Sequence, residues 1–156
     1  MDKPAAPHKK YDPQMHTTEH ILSRTMKNLF NADQIEMHLE KKKSKTDYTF
    51  DHNLTQEEKQ TIENKVNEII TKKVPVEISI IPRAEVPSSV NLSKLPPSAD
   101  KEETVRIIKI GDPQDPYDIQ PCIGEHVSNT SEIKGLFKIT TFTFEGNTLR
   151  LRWTIK

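Results

Sequence analysis

The sequence predicts an α+β fold in which two helices pack against an antiparallel sheet. Two segments repeat their apolar residues at the spacing of one face of a helix. Most other apolar segments alternate with polar residues in the manner of half-buried strands. Short turn-forming stretches such as Glu145-Gly146-Asn147 join several of these segments. Because strands joined by short hairpins pair antiparallel, we expect an antiparallel sheet.

The first predicted helix spans residues 13–30. Asp12 is a residue type that caps helix N-termini, and Pro13 is favoured at the first helical position. The helical pattern stops near Asn31. The apolar face consists of Met15, Leu22, Met26 and Leu29.

The second predicted helix spans residues 56–72. Thr55 and Glu58 match the capping box, in which the threonine hydroxyl and the glutamate carboxylate each accept a hydrogen bond from a free backbone amide. The buried face is predicted to consist of Ile62, Val66, Ile69 and Ile70.

The predicted strands include two hairpins. Alternating segments at 35–39 and 48–52 flank the lysine-rich run 41–45, which predicts a hairpin with a basic tip. Segments 136–144 and 148–155 form the second hairpin. Further strands are predicted at 76–80 and 105–110, a loop or partial helix at 83–103, and a turn-rich segment at 111–121.

We expect a single domain over residues 13–156, preceded by a flexible tail over residues 1–12. The chain is 33% hydrophobic and 29% charged, and its single cysteine, Cys122, excludes a disulfide scaffold and fits a reducing compartment. The N-terminal segment lacks the apolar run of a signal peptide, and no stretch resembles a membrane span. We therefore expect a cytoplasmic protein without a membrane partner. Because 23 basic residues balance 23 acidic ones, nucleic acid would have to meet a local basic patch.

Two histidines lie four residues apart in the first predicted helix. His16 and His20 would therefore have neighbouring side chains that can share one ion. At about 100° per residue, His16 lies about 100° and His20 about 140° from the apolar face, at the border of the core. An alternative interpretation is a pair of surface histidines without a ligand.

A second pair, Cys122 and His126, follows Pro121 about a hundred residues later. On its own, this pair is also consistent with a buried cysteine near a surface histidine. Zinc is commonly held tetrahedrally by nitrogen and sulfur ligands, and the two pairs together supply four of them. The sequence therefore predicts one zinc site formed by His16, His20, Cys122 and His126.

Glu19 offers a rival interpretation of the first pair. With His16 and His20 it completes the pattern H-x-x-E-H of inverted zinc peptidases, in which the glutamate is the general base and a distant glutamate is the third ligand. Those enzymes are much longer than 156 residues, and this interpretation leaves Cys122 and His126 unexplained.

The same motifs resemble the editing domain of alanyl-tRNA synthetase and its freestanding relatives, and the threonyl-tRNA synthetase editing domain is similar. The likeness covers about residues 13–156, and the absence of an aminoacylation domain points to a short trans-editing protein. It rests on His16-x-x-x-His20-Ile21-Leu22, Leu54-Thr55-x-Glu57-Glu58, Val66-Asn67, Asp118-Ile119-Gln120-Pro121-Cys122-Ile123-Gly124-Glu125-His126-Val127 and Asn129-Thr130-x-Glu132-Ile133.

This resemblance implies hydrolysis of the ester that joins a wrong amino acid, typically serine, to tRNA. It also implies that the four predicted ligands bind zinc. Thr17 is the candidate for recognising the serine hydroxyl, and Glu125 is the alternative or a general base. The sequence departs from the family pattern at Glu19, Ile123 and Glu125, where the family usually has small or apolar residues, a glycine and a threonine.

The partner expected from the resemblance is mischarged tRNA. Candidate contacts near the C-terminal strands are Lys134, Lys138, Arg150 and Arg152, in preference to the lysine-rich tip at 41–45, which can equally serve to keep the hairpin soluble. In either group, the charges can simply be solvated. A further alternative for the whole chain is a noncatalytic tRNA- or protein-binding module that keeps a structural zinc.

Overall fold

A computed structural model describes residues 11–88, 90, 92 and 103–156. It confirms the predicted α+β class. Most of the predicted tail and residues 89, 91 and 93–102 of the predicted loop 83–103 lie outside the described residues. The elements are α1 (Pro13–Phe30), β1 (Gln34–Leu39), β2 (Ser44–Thr49), α2 (Gln56–Thr71), β3 (Val76–Pro82), β4 (Thr104–Asp112), β5 (Asp115–Pro121), β6 (Phe137–Glu145) and β7 (Thr148–Ile155), with short 3₁₀ turns at Arg83–Glu85 and Thr130–Glu132.

The strands form two antiparallel sheets rather than the single predicted sheet. The larger sheet has the order β1-β2-β7-β6, and the smaller has the order β3-β4-β5. Both predicted hairpins of the larger sheet are present, and β7 pairs with β2 to join them. The second strand of the first hairpin is Ser44–Thr49 rather than the predicted 48–52, so the tip is shorter than the predicted run 41–45. The smaller sheet is a meander in which β4 pairs with both neighbours.

Helix α1 begins and ends as its sequence predicts. The Asp12 carboxylate accepts hydrogen bonds from the backbone amides of Gln14 and Met15 at 2.9 and 3.2 Å, and Pro13 occupies the first turn. At the other end, Asn31 adopts a left-handed conformation with φ of 53°, which terminates the helix. Leu29, placed on the predicted apolar face, is 41% exposed in the last turn.

Helix α2 begins with the predicted capping box. Thr55 Oγ1 accepts a hydrogen bond from Glu58 N, and Glu58 Oε1 accepts one from Thr55 N, both at 3.0 Å. Ile62 and Val66 have no exposed surface, so this face of the helix contributes to the core. Asn67 extends the contact, because its side chain bonds both the N–H and the carbonyl of Phe137 in β6.

The prediction of a turn-rich segment over 111–121 is wrong, because residues 115–121 form strand β5. This strand contains Pro116 and Pro121, a residue type that is depleted in strands. They are tolerated because β5 is an edge strand, where a missing N–H need not interrupt a ladder on both sides. Gly111, with φ of 111°, lies where a bulge shifts the β4–β5 register. Strand β5 carries the chain directly to Cys122.

The main core lies between the helices and the strands of both sheets. Its largest side chains without appreciable exposure include Tyr48, Phe137 and Trp153. A smaller apolar cluster covers the other face of the smaller sheet around Val105 and Ile107. Within the described part of the chain, no helix combines the length and the apolarity required to cross a bilayer.

Candidate metal centre

The first half of the candidate site is the N-terminal part of α1. His16 and His20 lie one helical turn apart and are only 2% and 8% exposed. They were predicted at the border of the core, and they are more deeply buried than that. Their burial argues against the alternative of two surface histidines.

The second half is the segment that follows β5. Arg106 in β4 fixes this segment, because its Nη1 donates hydrogen bonds to the carbonyl oxygens of Cys122 and Gly124 at 2.7 and 2.8 Å. The backbone N–H of Cys122 in turn donates to the Arg106 carbonyl at 3.2 Å. The backbone at Cys122, and with it the position of the thiol, is therefore held by strand β4 rather than by the loop alone.

These two segments bring together the four predicted ligands. One ligand atom from each of His16, His20, Cys122 and His126 lies within 4.8 Å of the others. The His16 and His126 rings are stacked with their centroids 4.1 Å apart, and the His20 ring meets the His126 ring edge-on at 4.5 Å. The group could therefore hold a metal ion.

The imidazoles turn their Nδ1 atoms towards protein oxygens. His16 Nδ1 donates to the Glu125 carbonyl oxygen at 3.1 Å, and its Nε2 lies 3.5 Å from Cys122 Sγ. His126 Nδ1 lies 2.9 Å from Thr17 Oγ1. His20 Nδ1 lies 3.3 Å from Asp118 Oδ2, as an ion-pair contact without hydrogen-bond alignment.

The remaining atom of His126 supports a metal at this position. His126 Nε2 is buried and has no hydrogen-bond partner among the described residues. A buried polar atom without a partner is costly, whereas a metal ion would use this lone pair. Three imidazole nitrogens and one thiolate form a ligand set typical of zinc, so the residues present fit the ion.

Two of the four ligands, Cys122 and His126, are in the deprotonated form that binds a cation, whereas His20 is not. Burial alone would raise the pKa of Cys122, but the neighbouring imidazoles of His126, His16 and His20 lower it to about 3. Burial lowers the pKa of His126 to about 4, with the charges of His20 and His16 acting in the same direction. For His20, burial lowers the pKa, but Asp118, Cys122 and Glu19 raise it to about 10. The metal-free site therefore holds a thiolate and an imidazolium at neutral pH.

Asp118 is a site residue for which the sequence predicted no role. It is 1% exposed, and Arg24 Nε donates a hydrogen bond to its Oδ1 at 2.9 Å. Burial raises the pKa of Asp118, but His20 and Arg24 lower it below its usual value. Its place in the motif that precedes Cys122 could have indicated a role in the site. Because 111–121 was predicted to be turn-rich, however, the sequence did not show that the Asp118 side chain faces His20.

Thr17 contacts the segment that carries His126. It has no exposed surface, and its Oγ1 accepts a hydrogen bond from the Val127 N–H at 3.2 Å in addition to its contact with His126. The hydroxyl therefore ties the start of α1 to the His126 segment. Its predicted contact with a serine hydroxyl stays a prediction.

Glu125 and Gly124 form the turn of the second segment. Glu125 is exposed, and its carbonyl is the acceptor for His16; its predicted role in recognition or as a base stays a prediction. A Cβ at Gly124 would lie 2.7 Å from His16 Nδ1 and even closer to Cε1. Glycine thus permits the close approach of this turn to the imidazole.

Glu19 lies beside the four-ligand group but is not a member of it. It is 4% exposed, and its Oε2 accepts hydrogen bonds from Ser23 Oγ at 2.8 Å and Gln34 Nε2 at 2.7 Å. Cys122 and His126 complete the ligand group instead, and they are the residues that the peptidase interpretation leaves unexplained.

The four candidate tRNA contacts differ in their environment. Arg150 makes a two-pronged ion pair with Asp47, with N–O distances of 2.9 and 3.0 Å. Arg152 and Lys138 are exposed on the outer face of the larger sheet, and Lys134 Nζ donates to the Ser131 carbonyl at 3.2 Å. The assignment of these residues to tRNA stays a prediction, as does that of the tip lysines.

The chain is similar in sequence to parts of known aminoacyl-tRNA synthetases. Residues 105–152 match the family model described as the threonyl and alanyl tRNA synthetase second additional domain. The alanine–tRNA ligase of Saccharolobus islandicus is 30% identical over 140 residues, which are 88% of this chain and 15% of the ligase. The alanine–tRNA ligase of Mycoplasmoides gallisepticum is 29% identical over 143 residues, again 15% of the ligase.

A smaller relative gives a similar result. The alanyl-tRNA editing protein AlaX-L of Pyrococcus horikoshii is 33% identical over 129 residues, which are 83% of this chain and 30% of that protein. The fold and the His/Cys group define an α+β protein with a candidate metal centre. The chain resembles the editing domain of alanyl-tRNA synthetase and its freestanding relatives, as its sequence predicts. It spans less than a third of the length of these relatives.

Proposed function

We propose that this protein is a trans-editing hydrolase that deacylates mischarged tRNA, with Ser-tRNA of the alanine acceptor as the preferred substrate. The observation that carries the proposal is the convergence of His16, His20, Cys122 and His126 within 4.8 Å. Similarity to an alanyl-tRNA editing protein supports the substrate class. A second hydrolytic site is the general solution when a synthetase pocket discriminates poorly between small side chains.

We propose zinc as the ion, held by these four side chains. When bound, it would orient the aminoacyl group or polarise the ester and its attacking water. Asp118 would hold His20, and Thr17 would hold His126, each through the Nδ1 atom. Such outer contacts keep ligating rings in one orientation. Arg106 would keep the Cys122 segment in place.

Serine selection requires a polar group that meets the added hydroxyl. A site built around such a hydrogen bond can reject the analogue lacking it by about 10⁴ to 10⁵. Thr17 and Glu125 are the proposed candidates. The body of the tRNA would contact Lys134, Lys138, Arg150 and Arg152, and Arg150 would have to share its charge between Asp47 and a phosphate.

The test compares release of serine and alanine from the same alanine-accepting tRNA. We expect wild-type protein to release serine and leave Ala-tRNA largely intact, and we expect Cys122→Ala to abolish release. The matched control is Ser128→Ala, which changes an exposed residue next to the motif. Equal, slow release of both amino acids by wild-type protein would remove the assignment.

A noncatalytic tRNA- or protein-binding module with a structural zinc is the second candidate. Four protein ligands in one group favour it, because structural zinc sites are closed whereas catalytic ones keep a position open. Such a protein would bind zinc but release serine no faster than Cys122→Ala does.

A further inference from the structure

The Glu19 carboxylate is buried beside the candidate metal centre, where its hydrogen bonds come from neutral side chains. Its side chain is 5% exposed. Among the described residues, no lysine or arginine makes an ion pair with it, and its only charged-group contact is His20 Nε2 at 3.9 Å from Oε1. Burying a carboxylate is expensive unless a cation or several donors compensate it.

The two oxygens of this carboxylate have different environments. Oε2 accepts hydrogen bonds from Ser23 and Gln34. A carboxylate can only accept, so the Ser23 hydroxyl donates to Glu19, and Tyr48, whose hydroxyl lies 2.8 Å from Ser23 Oγ, donates to Ser23. Burial, with the charge of Glu19, raises the pKa of Tyr48, which keeps this donor protonated.

This network fixes one oxygen and leaves the other for a ligand. No hydrogen-bond donor meets Oε1 among the residues that the structure describes, and Oε1 is the oxygen that faces His20. Because Glu19 is not one of the four grouped ligands, its carboxylate would lie beside a bound ion rather than among the ion's ligands. An anionic acceptor held at this position suits a small cationic group on a substrate.

We propose that Glu19 Oε1 binds the α-ammonium group of the amino acid to be hydrolysed. The proposal rests on the proposed function, since an aminoacyl ester brings a free α-ammonium next to its ester carbonyl. The contact would be a charge-assisted hydrogen bond, which is stronger than one between neutral groups. It would hold the amino acid by a group that every aminoacyl-tRNA carries, leaving the side chain to be read by other residues.

The test uses two probes that cannot be hydrolysed. One is 3′-serylamino-3′-deoxyadenosine, and the other is the same amide with a hydroxyl in place of the α-ammonium. Affinities for zinc-loaded protein are measured by calorimetry at pH 6.5, where the ammonium is protonated. We expect wild-type protein to bind the ammonium probe at least about tenfold more tightly, as one charge-assisted bond allows.

Glu19→Gln retains the shape and the acceptor for Ser23 and Gln34 but removes the charge. We expect its preference for the ammonium probe to fall to about one, with unchanged affinity for the hydroxyl probe and unchanged zinc content. Glu57→Gln is the matched control, because Glu57 is exposed at the start of α2. Glu19→Asp keeps the charge one methylene further back, and we expect an intermediate preference.

Three results would overturn this role. A preference retained by Glu19→Gln would show that another group binds the ammonium. Equal weakening of both probes, or loss of zinc, would make Glu19 a structural residue or a ligand of the ion. If wild-type protein bound neither probe, this role would fall, and release of serine from Ser-tRNA by the same preparation would show whether the proposed function falls with it.

Discussion

His20 Nδ1 lies 3.3 Å from Asp118 Oδ2, and both side chains are almost completely buried. The two residues come from α1 and β5, so the contact joins a helix to the edge strand of the smaller sheet. Arg24, one turn further along α1, donates to the other carboxylate oxygen. Arg24 therefore fixes the Asp118 carboxylate through Oδ1, and Oδ2 faces the His20 ring. A carboxylate placed in this way commonly orients a metal-binding histidine.

Asp118→Asn should weaken metal binding while the protein remains folded. The amide can still accept from Arg24 but no longer offers a charge to His20, and loss of such an outer contact typically costs 10- to 100-fold in affinity, about 1.4–2.8 kcal/mol. Titration of zinc against a chromophoric chelator measures the change. Asp115→Asn, at the exposed start of the same strand, is the control, and unchanged affinity in Asp118→Asn would contradict this function of the contact.

The local patterns of this sequence predicted its helices and the pairing of ligands within each segment. The spacing of His16 and His20, the Asp12 cap and the capping box at Thr55 depend only on neighbours along the chain. Whether the two ligand pairs share one site depends on how α1 meets β5, which no local pattern specifies. The two pairs were joined because zinc takes four nitrogen or sulfur ligands, and the resemblance to a family implied the same site.

Other contacts could not be predicted because they are tertiary. Strand β5 contains Pro116, which local rules exclude from a strand, and only its edge position accommodates it. The network around Glu19 likewise joins Ser23 to Gln34 and Tyr48, residues of α1, β1 and β2. Its members are ordinary surface residue types, so nothing in their spacing indicates that they lie in the interior.

Metal binding should release about one proton per ion near pH 7.5. The thiol of Cys122, with a pKa of about 3, and His126, with a pKa of about 4, are then already deprotonated, whereas His20, with a pKa of about 10, still carries a proton that the ion must displace. Affinity should therefore rise about tenfold per pH unit between pH 7 and 9 and fall in acid. Calorimetry in two buffers of different ionisation enthalpy counts the protons.

Asp118→Asn is also the internal control for this proton count. Asp118 raises the pKa of His20, so the variant should hold the proton less tightly and release a smaller fraction of it. Release of no proton by wild-type protein, or of the same number by the variant, would contradict an imidazolium at His20 in the metal-free site.

Gly124→Ala should impair the metal centre more than the fold. The new methyl group would approach His16 Nδ1 to 2.7 Å, which forces the imidazole or the turn to move. We expect metal affinity to fall by about tenfold or more, as for other disturbances of a ligand's support. Gly146→Ala is an informative control, because its Cβ meets nothing within 4 Å although its φ is +64°. That variant should lose stability, by about 1 kcal/mol, without losing metal.

Thr17→Val should destabilise the protein and weaken metal binding together. Valine matches threonine in shape but leaves His126 Nδ1 and the Val127 N–H without their partner in a buried environment. Each unsatisfied group costs about 1–3 kcal/mol, and His126 loses the contact that orients its ring. Thr18→Val is the matched control, because Thr18 is equally buried but its hydroxyl only donates to the Gln14 carbonyl in its own helix.

The same variant separates the two functions proposed for Thr17. If the hydroxyl only orients His126, release of serine and alanine from charged tRNA should fall by the same factor in Thr17→Val. If it also meets the serine hydroxyl, release of serine should fall more, and the ratio of the two rates should approach one, because the substrate hydroxyl then has no polar partner. Glu125→Gln tests the alternative recognition residue in the same assay. Thr17→Val with the metal affinity, stability and rate ratio of wild type would remove both functions, because the 2.9 Å contact with His126 would then have no measurable consequence.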